Sequence, residues 1–205
     1  MSNRRRQFQR LLGQRRYRKL FILAVEGEKT EPQYFAIFND QQSVIKIECL
    51  CKKYRSSPDK VLKRIKNHLK KVSLKKTDEA WVVVDKDQWT DEQLTRLHKW
   101  SQEKENFGFA LSNPNFEYWI LLHFEDGKSI SKSRDCSDRL KKHLQDYDGG
   151  IDARKITTEM ITAAIQRARQ RDNPPCTDWP KGIGTTVYKL VEKFMAKSHQ
   201  NTNKR

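Results

Sequence analysis

The chain has 205 residues, enough for one domain of ordinary size with a hydrophobic core. It carries 42 Lys+Arg against 26 Asp+Glu, a formal net charge of +16, and this excess favours a polyanion such as nucleic acid as partner. No stretch approaches the roughly 20 apolar residues of a transmembrane helix, and the basic N-terminus lacks the apolar core of a signal peptide. We therefore expect no membrane association and a cytoplasmic location.

The chain begins with a basic arm, predicted over residues 1–19, which hold eight arginine or lysine residues and no acidic one. Such an arm can bind phosphate or remain a solvated tail. Residues 20–196 are predicted to form one α/β domain with a helical C-terminal part, followed by a polar tail at 197–205. The four cysteines are spaced too irregularly for a zinc finger or ribbon, so we expect reduced thiols.

Strand and helix patterns alternate four times after the arm. The apolar run from Leu20 to Val25 predicts a buried strand, and Thr30 is the predicted N-cap of the helix that follows. Asn113 and Pro114 are expected to begin the helix after the fourth strand. The remaining segments have helical patterns. Further strands are predicted at 45–50, 81–84 and 107–111. The alternation predicts an α/β fold with a mainly parallel sheet of about four strands flanked by helices, and extra C-terminal helices.

Three acidic residues directly follow predicted strands. Glu26 follows the first strand, and Asp85 and Asp87 follow the third. Because ligands of α/β sheets bind beyond the carboxyl ends of the strands, we expect these carboxylates to lie close together. Residues two apart on an extended chain point to the same side, and a hard cation such as Mg²⁺ would relieve the repulsion between them. Alternatively, Asp85 caps the strand and Asp87 starts a turn. Gly27 would let a phosphate or metal approach the backbone.

This order, strand, Glu-Gly, helix and later strand, Asp-x-Asp, resembles the Toprim domain shared by topoisomerases, bacterial primases and OLD-family nucleases. The resemblance narrows to the RloB (AbiLii-type) family over about residues 18–195, in the segments VEGEKTEPQYF, DKDQW, LSNPNFEYWILLHFE and TTVYKLVE. It implies a Toprim-like nuclease in anti-phage defence by abortive infection, often beside an ATPase partner.

The resemblance also implies roles for single residues. Glu26 would be the acid/base or metal-binding group, while Asp85 and Asp87 would hold Mg²⁺ or Mn²⁺, and these three are the predicted catalytic residues. Glu117 matches the family's glutamate after the fourth strand and is a candidate ligand of a second metal. Glu31 stands where the commonest Toprim pattern has other residues, and is either a ligand or a favourable charge at a helix N-terminus.

Basic residues concentrate in and around the second predicted helix, at the density expected of a phosphate track, although a solvated face accounts for part of them. Lys29 and Lys181 can contact phosphate or be ordinary loop lysines. Tyr54 and Trp89 are available for base stacking, but no pattern selects them. His123, in an apolar helix, is predicted to be structural. The predicted nucleic-acid-binding residues are Lys29, Arg55, Lys63, Arg64, Lys66, Lys70 and Lys181.

The expected function is therefore metal-dependent hydrolysis of a nucleic-acid phosphodiester. One rival is a Toprim-like domain that has lost catalysis and only binds nucleic acid or docks an ATPase. Another is a nucleotidyl transferase or primase-like enzyme, which would need a nucleotide pocket. The sequence has no Walker motif or other phosphate-binding glycine loop to supply one. DNA and RNA substrates, and the oligomeric state, remain open.

Overall fold

The computed structural model describes residues 18–39, 43–51, 57–87, 89–145 and 147–198. Most of the predicted arm and tail lies outside these ranges. The elements in chain order are β1 (Lys19–Val25), α1 (Thr30–Ala36), β2 (Ile45–Leu50), α2 (Pro58–Leu69), β3 (Glu79–Asp85), α3 (Asp91–Ser101), β4 (Phe107–Asn113), α4 (Phe116–Leu121), α5 (Ser133–His143), a 3₁₀ turn (Ala153–Lys155), α6 (Thr158–Arg171), β5 (Gly184–Thr185) and α7 (Val187–Ser198).

The strands form one sheet in the order β2-β1-β3-β4-β5. β1, β2, β3 and β4 are parallel, with Phe21 beside Ile47 of β2 and Glu79 of β3. This confirms the predicted mainly parallel α/β sheet and is consistent with a Toprim-like fold. The fifth strand was not predicted. It has two residues and pairs antiparallel with β4, Thr185 opposite Ser112, and so short a strand has no periodicity of its own.

Helices cover both faces of the sheet, which is why β1 and β3 are apolar almost throughout. One face packs against α1 and the C-terminal helices α4 to α7, around Phe21, Trp119 and Phe194. The other face packs against α2 and α3, around Val82 and Trp100. The C-terminal helices therefore belong to the same core as the first strands. No helix of the described ranges is long and apolar enough to cross a membrane.

Two predicted helix starts were wrong. Thr30 is the first residue of α1 and Lys29 is the N-cap; the Thr30 hydroxyl instead donates to the Gly149 carbonyl at 2.7 Å. β4 continues through Asn113, and α4 begins only at Phe116. The strand is longer than predicted because its last residues pair with β5, a partner 71 to 73 residues later in the sequence.

Candidate functional site

The carboxyl ends of β1 and β3 meet at a topological switch point. These strands are neighbours, and their following helices, α1 and α3, lie on opposite faces of the sheet. In open α/β sheets a ligand crevice forms at such a point. Glu26 directly follows β1 and Asp85 ends β3, and both are buried. The Asp85 backbone N–H donates to Glu26 Oε2 at 3.3 Å, so these two predicted residues are brought together.

Trp89 holds the Glu26 carboxylate. Its indole Nε1 lies 3.2 Å from Glu26 Oε1 and 3.3 Å from Oε2. Trp89 is half-buried in the turn between β3 and α3. The sequence offered Trp89 only as a possible stacking residue, because a contact with Glu26, 63 residues earlier, leaves no local pattern.

Asp87 is placed differently from Asp85. The strand ends at Asp85, and Asp87 is exposed with a φ of 33° in the turn that follows. Its backbone N–H donates to the Pro114 carbonyl at 3.0 Å, which fastens the turn to the end of β4. The argument that residues two apart share one side assumed an extended chain, and the chain is not extended here.

Glu31 closes the turn after β1. Its Oε1 accepts a hydrogen bond from the Gly27 N–H at 2.8 Å, and the carboxylate is buried in the first turn of α1. A Cβ on residue 27 would lie 2.2 Å from Glu31 Oε2, so the turn needs glycine in order to hold this carboxylate. Of the two roles predicted for Glu31, the contact matches that of a charge at a helix N-terminus.

Glu117 lies in the first turn of α4 and accepts a hydrogen bond from the Tyr147 hydroxyl at 3.0 Å. Burial, and then the nearby Glu117 carboxylate, raise the pKa of Tyr147 well above its usual value. The segment around Tyr147 is tied to α1, since the Ile151 N–H donates to Gln33 Oε1 at 2.7 Å. The sequence placed Tyr147 at the end of a predicted helix, but α5 ends at His143. Its contact with Glu117, 30 residues earlier, leaves no local pattern.

The carboxylates at this crevice are of the chemical type that a hard divalent cation prefers. Glu26, Glu31 and Asp85 carry carboxylate groups, and carboxylate oxygens are ligands that Mg²⁺ prefers. In this conformation the Gly27 N–H donates to the Glu31 carboxylate, and the Trp89 indole N–H donates to the Glu26 carboxylate. Within the described ranges, no group of three or more His, Cys, Asp or Glu side chains is arranged to bind a metal.

The predicted nucleic-acid-binding residues on α2 fall into two groups. Lys63, Lys66 and Lys70 are exposed. Arg64 instead reaches the sheet, where its Nη1 donates to the carbonyls of Val25 at 2.7 Å and Leu50 at 2.9 Å. It therefore joins α2 to the carboxyl ends of β1 and β2, next to Glu26. Arg55 and Tyr54 lie outside the described residues.

The other two predicted lysines flank the site. Lys29 is exposed at the N-cap of α1. Lys181 is 2.9 Å from Asp178 and 3.8 Å from Asp91, and its Nζ lies 3.6 Å from the centre of the Trp179 ring. These contacts hold the Lys181 loop against the start of α3.

Comparison with known proteins gives one match. A family model described as RloB-like protein matches residues 21–194. The matched range runs from β1 into α7 and includes Glu26, Glu31, Asp85, Asp87 and Glu117. No curated protein and no solved structure matches the chain.

Proposed function

Because the chain belongs to the RloB-like family, we propose that it is a Toprim-like nuclease that hydrolyses nucleic-acid phosphodiester bonds with Mg²⁺ or Mn²⁺. One observation carries the proposal: Glu26 and Asp85 lie together, buried, where the carboxyl ends of β1 and β3 form the switch-point crevice. Carboxylates in such a crevice suit metal-assisted phosphoryl transfer.

Glu26, Asp85 and Asp87 would hold the cation, with Glu117 and Glu31 as candidates for a second one. When bound, the ion stabilises charge on the phosphate and lowers the pKa of a water. Glu26 would alternatively carry the proton of the attacking water. Arg64 brings a fixed positive charge to the same strand ends, where it favours binding of a phosphate. Lys29, exposed at the start of α1, offers a second cation.

The biological setting that we propose rests on the resemblance to the RloB family alone. The protein would act in the cytoplasm as the effector of an anti-phage, abortive-infection system. An ATPase partner would control its activity. The strongly positive charge of the chain supports nucleic acid, either DNA or RNA, as the substrate.

The test is a cleavage assay with matched variants. The parent, Asp85→Asn and Asp138→Asn are incubated with plasmid DNA, single-stranded DNA and total RNA in Mg²⁺ or Mn²⁺. Asn keeps the size of Asp85 and removes its charge, and we expect cleavage to fall at least about 100-fold. Asp138 is exposed on α5 and pairs only at the surface with Arg134, 3.5 Å away, so its variant should cleave like the parent.

Each outcome has a distinct meaning. Cleavage by the parent and Asp138→Asn, but not by Asp85→Asn, supports the nuclease and identifies its substrate class. Equal cleavage by all three proteins would refute the assigned site. Absence of cleavage together with Mg²⁺ binding, measured by titration calorimetry, would indicate that an activating partner is missing.

A second candidate function is a catalytically silent module that binds nucleic acid or docks an ATPase. The observation in its favour is that both oxygens of Glu26 accept N–H donors, so protein groups already satisfy this carboxylate. This candidate predicts nucleic-acid binding with neither cleavage nor affinity for Mg²⁺ or Mn²⁺.

A further inference from the structure

We propose that the edge of the sheet opposite the candidate site is an anchor for the nucleic-acid backbone. This amino edge is where β1, β3 and β4 begin. Its exposed cations, called here the amino-edge surface, are Arg18, Lys70, Lys71, Lys75, Lys76, Lys99 and Lys104. The inference takes its ligand class from the proposed function and adds a second binding surface to it.

The fold brings these cations to one edge. α2 and α3 each connect two parallel strands, so both helices run back and end at the amino edge. Buried Asp78 then fastens three segments together. Its carboxylate accepts the N–H groups of Leu20 at 3.0 Å and Lys75 at 2.9 Å, and its carbonyl accepts from Asn106 Nδ2 at 3.0 Å. These hydrogen bonds therefore hold together the backbone segments that carry the amino-edge surface.

Nearby acidic residues offset only part of this charge. The Asp78 carboxylate is buried and bonded to backbone N–H groups. Glu79 is also buried, with Lys19 Nζ at 2.5 Å and Lys193 Nζ at 2.9 Å. The exposed carboxylates of the adjoining turn are Glu103 and Glu105. The surface thus keeps a clear excess of positive charge, which folding does not require.

The sequence extends the same charge. Residues 1–17 contain six arginines and no acidic residue, and they join the domain at Arg18, on the amino edge. A basic chain segment attached to a basic surface matches a ligand that is itself an extended polyanion. An anionic membrane is a poorer match, since these lysines lie on turns and helix ends and not along a wide amphipathic helix.

The distance between the two edges indicates what the anchor does. Seven residues of β1 span about 20 Å at roughly 3.3 Å per residue. At physiological ionic strength the Debye length is about 8 Å, so the charges of cations this far from Glu26 are screened from the scissile phosphate. They can hold phosphates some six base pairs away, at about 3.4 Å per base pair along a duplex. The amino-edge surface should therefore govern affinity and leave the chemical step unchanged.

Two variants of equal charge test the anchor. The first changes Lys70, Lys71, Lys76 and Lys99 to Gln. The control changes four exposed lysines elsewhere, Lys128, Lys141, Lys142 and Lys155, to Gln. Binding to a labelled 20-base-pair DNA duplex and to an RNA hairpin of equal stem length is measured by fluorescence anisotropy in EDTA, so that no cleavage is needed.

We expect the first variant to raise Kd at least 10-fold and to lower the slope of log K against log salt by about two to four. The control should change Kd less than threefold. Equal effects of both variants, or no effect of the first, would overturn the anchor. So would a loss of binding to anionic vesicles with unchanged binding to both nucleic acids. If the parent shows no nuclease activity but the first variant still binds nucleic acid more weakly than the parent, the anchor is supported independently of the proposed nuclease. If the parent cleaves nucleic acid, the first variant should have a higher KM and a kcat within twofold of the parent's.

Discussion

His123 lies at the centre of the larger core. Its Nε2 is 3.1 Å from the Tyr34 hydroxyl, and its Nδ1 is 3.1 Å from the Trp119 carbonyl. These contacts agree with the predicted structural role. Burial lowers the pKa of His123 to about 4. Its hydrogen bonds to backbone carbonyls raise the pKa, but by less than burial lowers it. The folded protein therefore keeps this imidazole neutral where an unfolded chain would protonate it.

The pH dependence of stability follows from this difference. Between pH 6.5 and about 4 the unfolded state binds a proton that the folded state does not, so the free energy of unfolding falls as the pH falls through this window. Below about pH 4 the total loss in the free energy of unfolding should reach roughly 3 kcal/mol. Urea unfolding of His123→Gln should show a shallower decline than the parent between pH 6.5 and 4. Equal slopes in the parent and His123→Gln would contradict the assignment.

Gly27 and Glu31 depend on each other, because the Glu31 carboxylate occupies the space of a side chain at residue 27. Gly27→Ala should displace this carboxylate and break its bond to the residue 27 N–H, at a cost of about 1 to 2 kcal/mol. In a Glu31→Ala background the same change should cost less than about 0.5 kcal/mol, since the clash is gone. Urea unfolding of the four proteins measures the coupling. Additive costs would show that the two residues do not interact.

At the scale of elements, β2 is one of the two edge strands of the sheet, and a side chain protects its outer side. Asn39 Nδ2 donates to the Ile47 carbonyl at 2.7 Å, and the Ile47 N–H donates to Asn39 Oδ1 at 2.7 Å. The amide thus takes the place of a neighbouring strand at Ile47. An edge without such protection is a template for pairing between molecules.

Asn39→Ala should therefore lower the free energy of unfolding by about 1 to 2 kcal/mol, because it removes both hydrogen bonds to Ile47. It should also increase self-association, measured by analytical ultracentrifugation. Asn39→Asp keeps the acceptor and loses the donor, so it should lie between the parent and Asn39→Ala. If Asn39→Ala and Asn39→Asp have the same free energy of unfolding and the same degree of self-association, the result would argue against protection of the edge by Asn39.

Element types were predictable where local pattern and tertiary structure agree. β1 and β3 are apolar because both faces are covered, and α3 begins after its N-cap Thr90, whose side chain accepts the Gln93 N–H within the same turn. Boundaries failed where distant residues decide them. The end of β4 depends on β5, and Thr30 bonds to Gly149, contacts of a kind that no local pattern encodes.

At the scale of the whole molecule, the candidate site was predictable only in part. Glu26 and Asp85 could be paired from the sequence, because the carboxyl ends of parallel strands meet at one edge. Asp87, Trp89 and Tyr147 could not be placed, because turns and segments from distant parts of the chain position them. The metal ion and the nuclease activity stay predictions.

The contact between Trp89 and Glu26 gives the protein an internal optical reporter. Of its five tryptophans, four are buried in the two cores: Trp81, Trp100, Trp119 and Trp179. Trp89 is half-buried, and its indole donates to a carboxylate of the candidate site. A cation that draws Glu26 away from this indole would change the emission of Trp89 and leave that of the four buried rings. Unlabelled protein would thus report occupancy of the crevice by its own fluorescence, with Trp89→Phe as the silent reference.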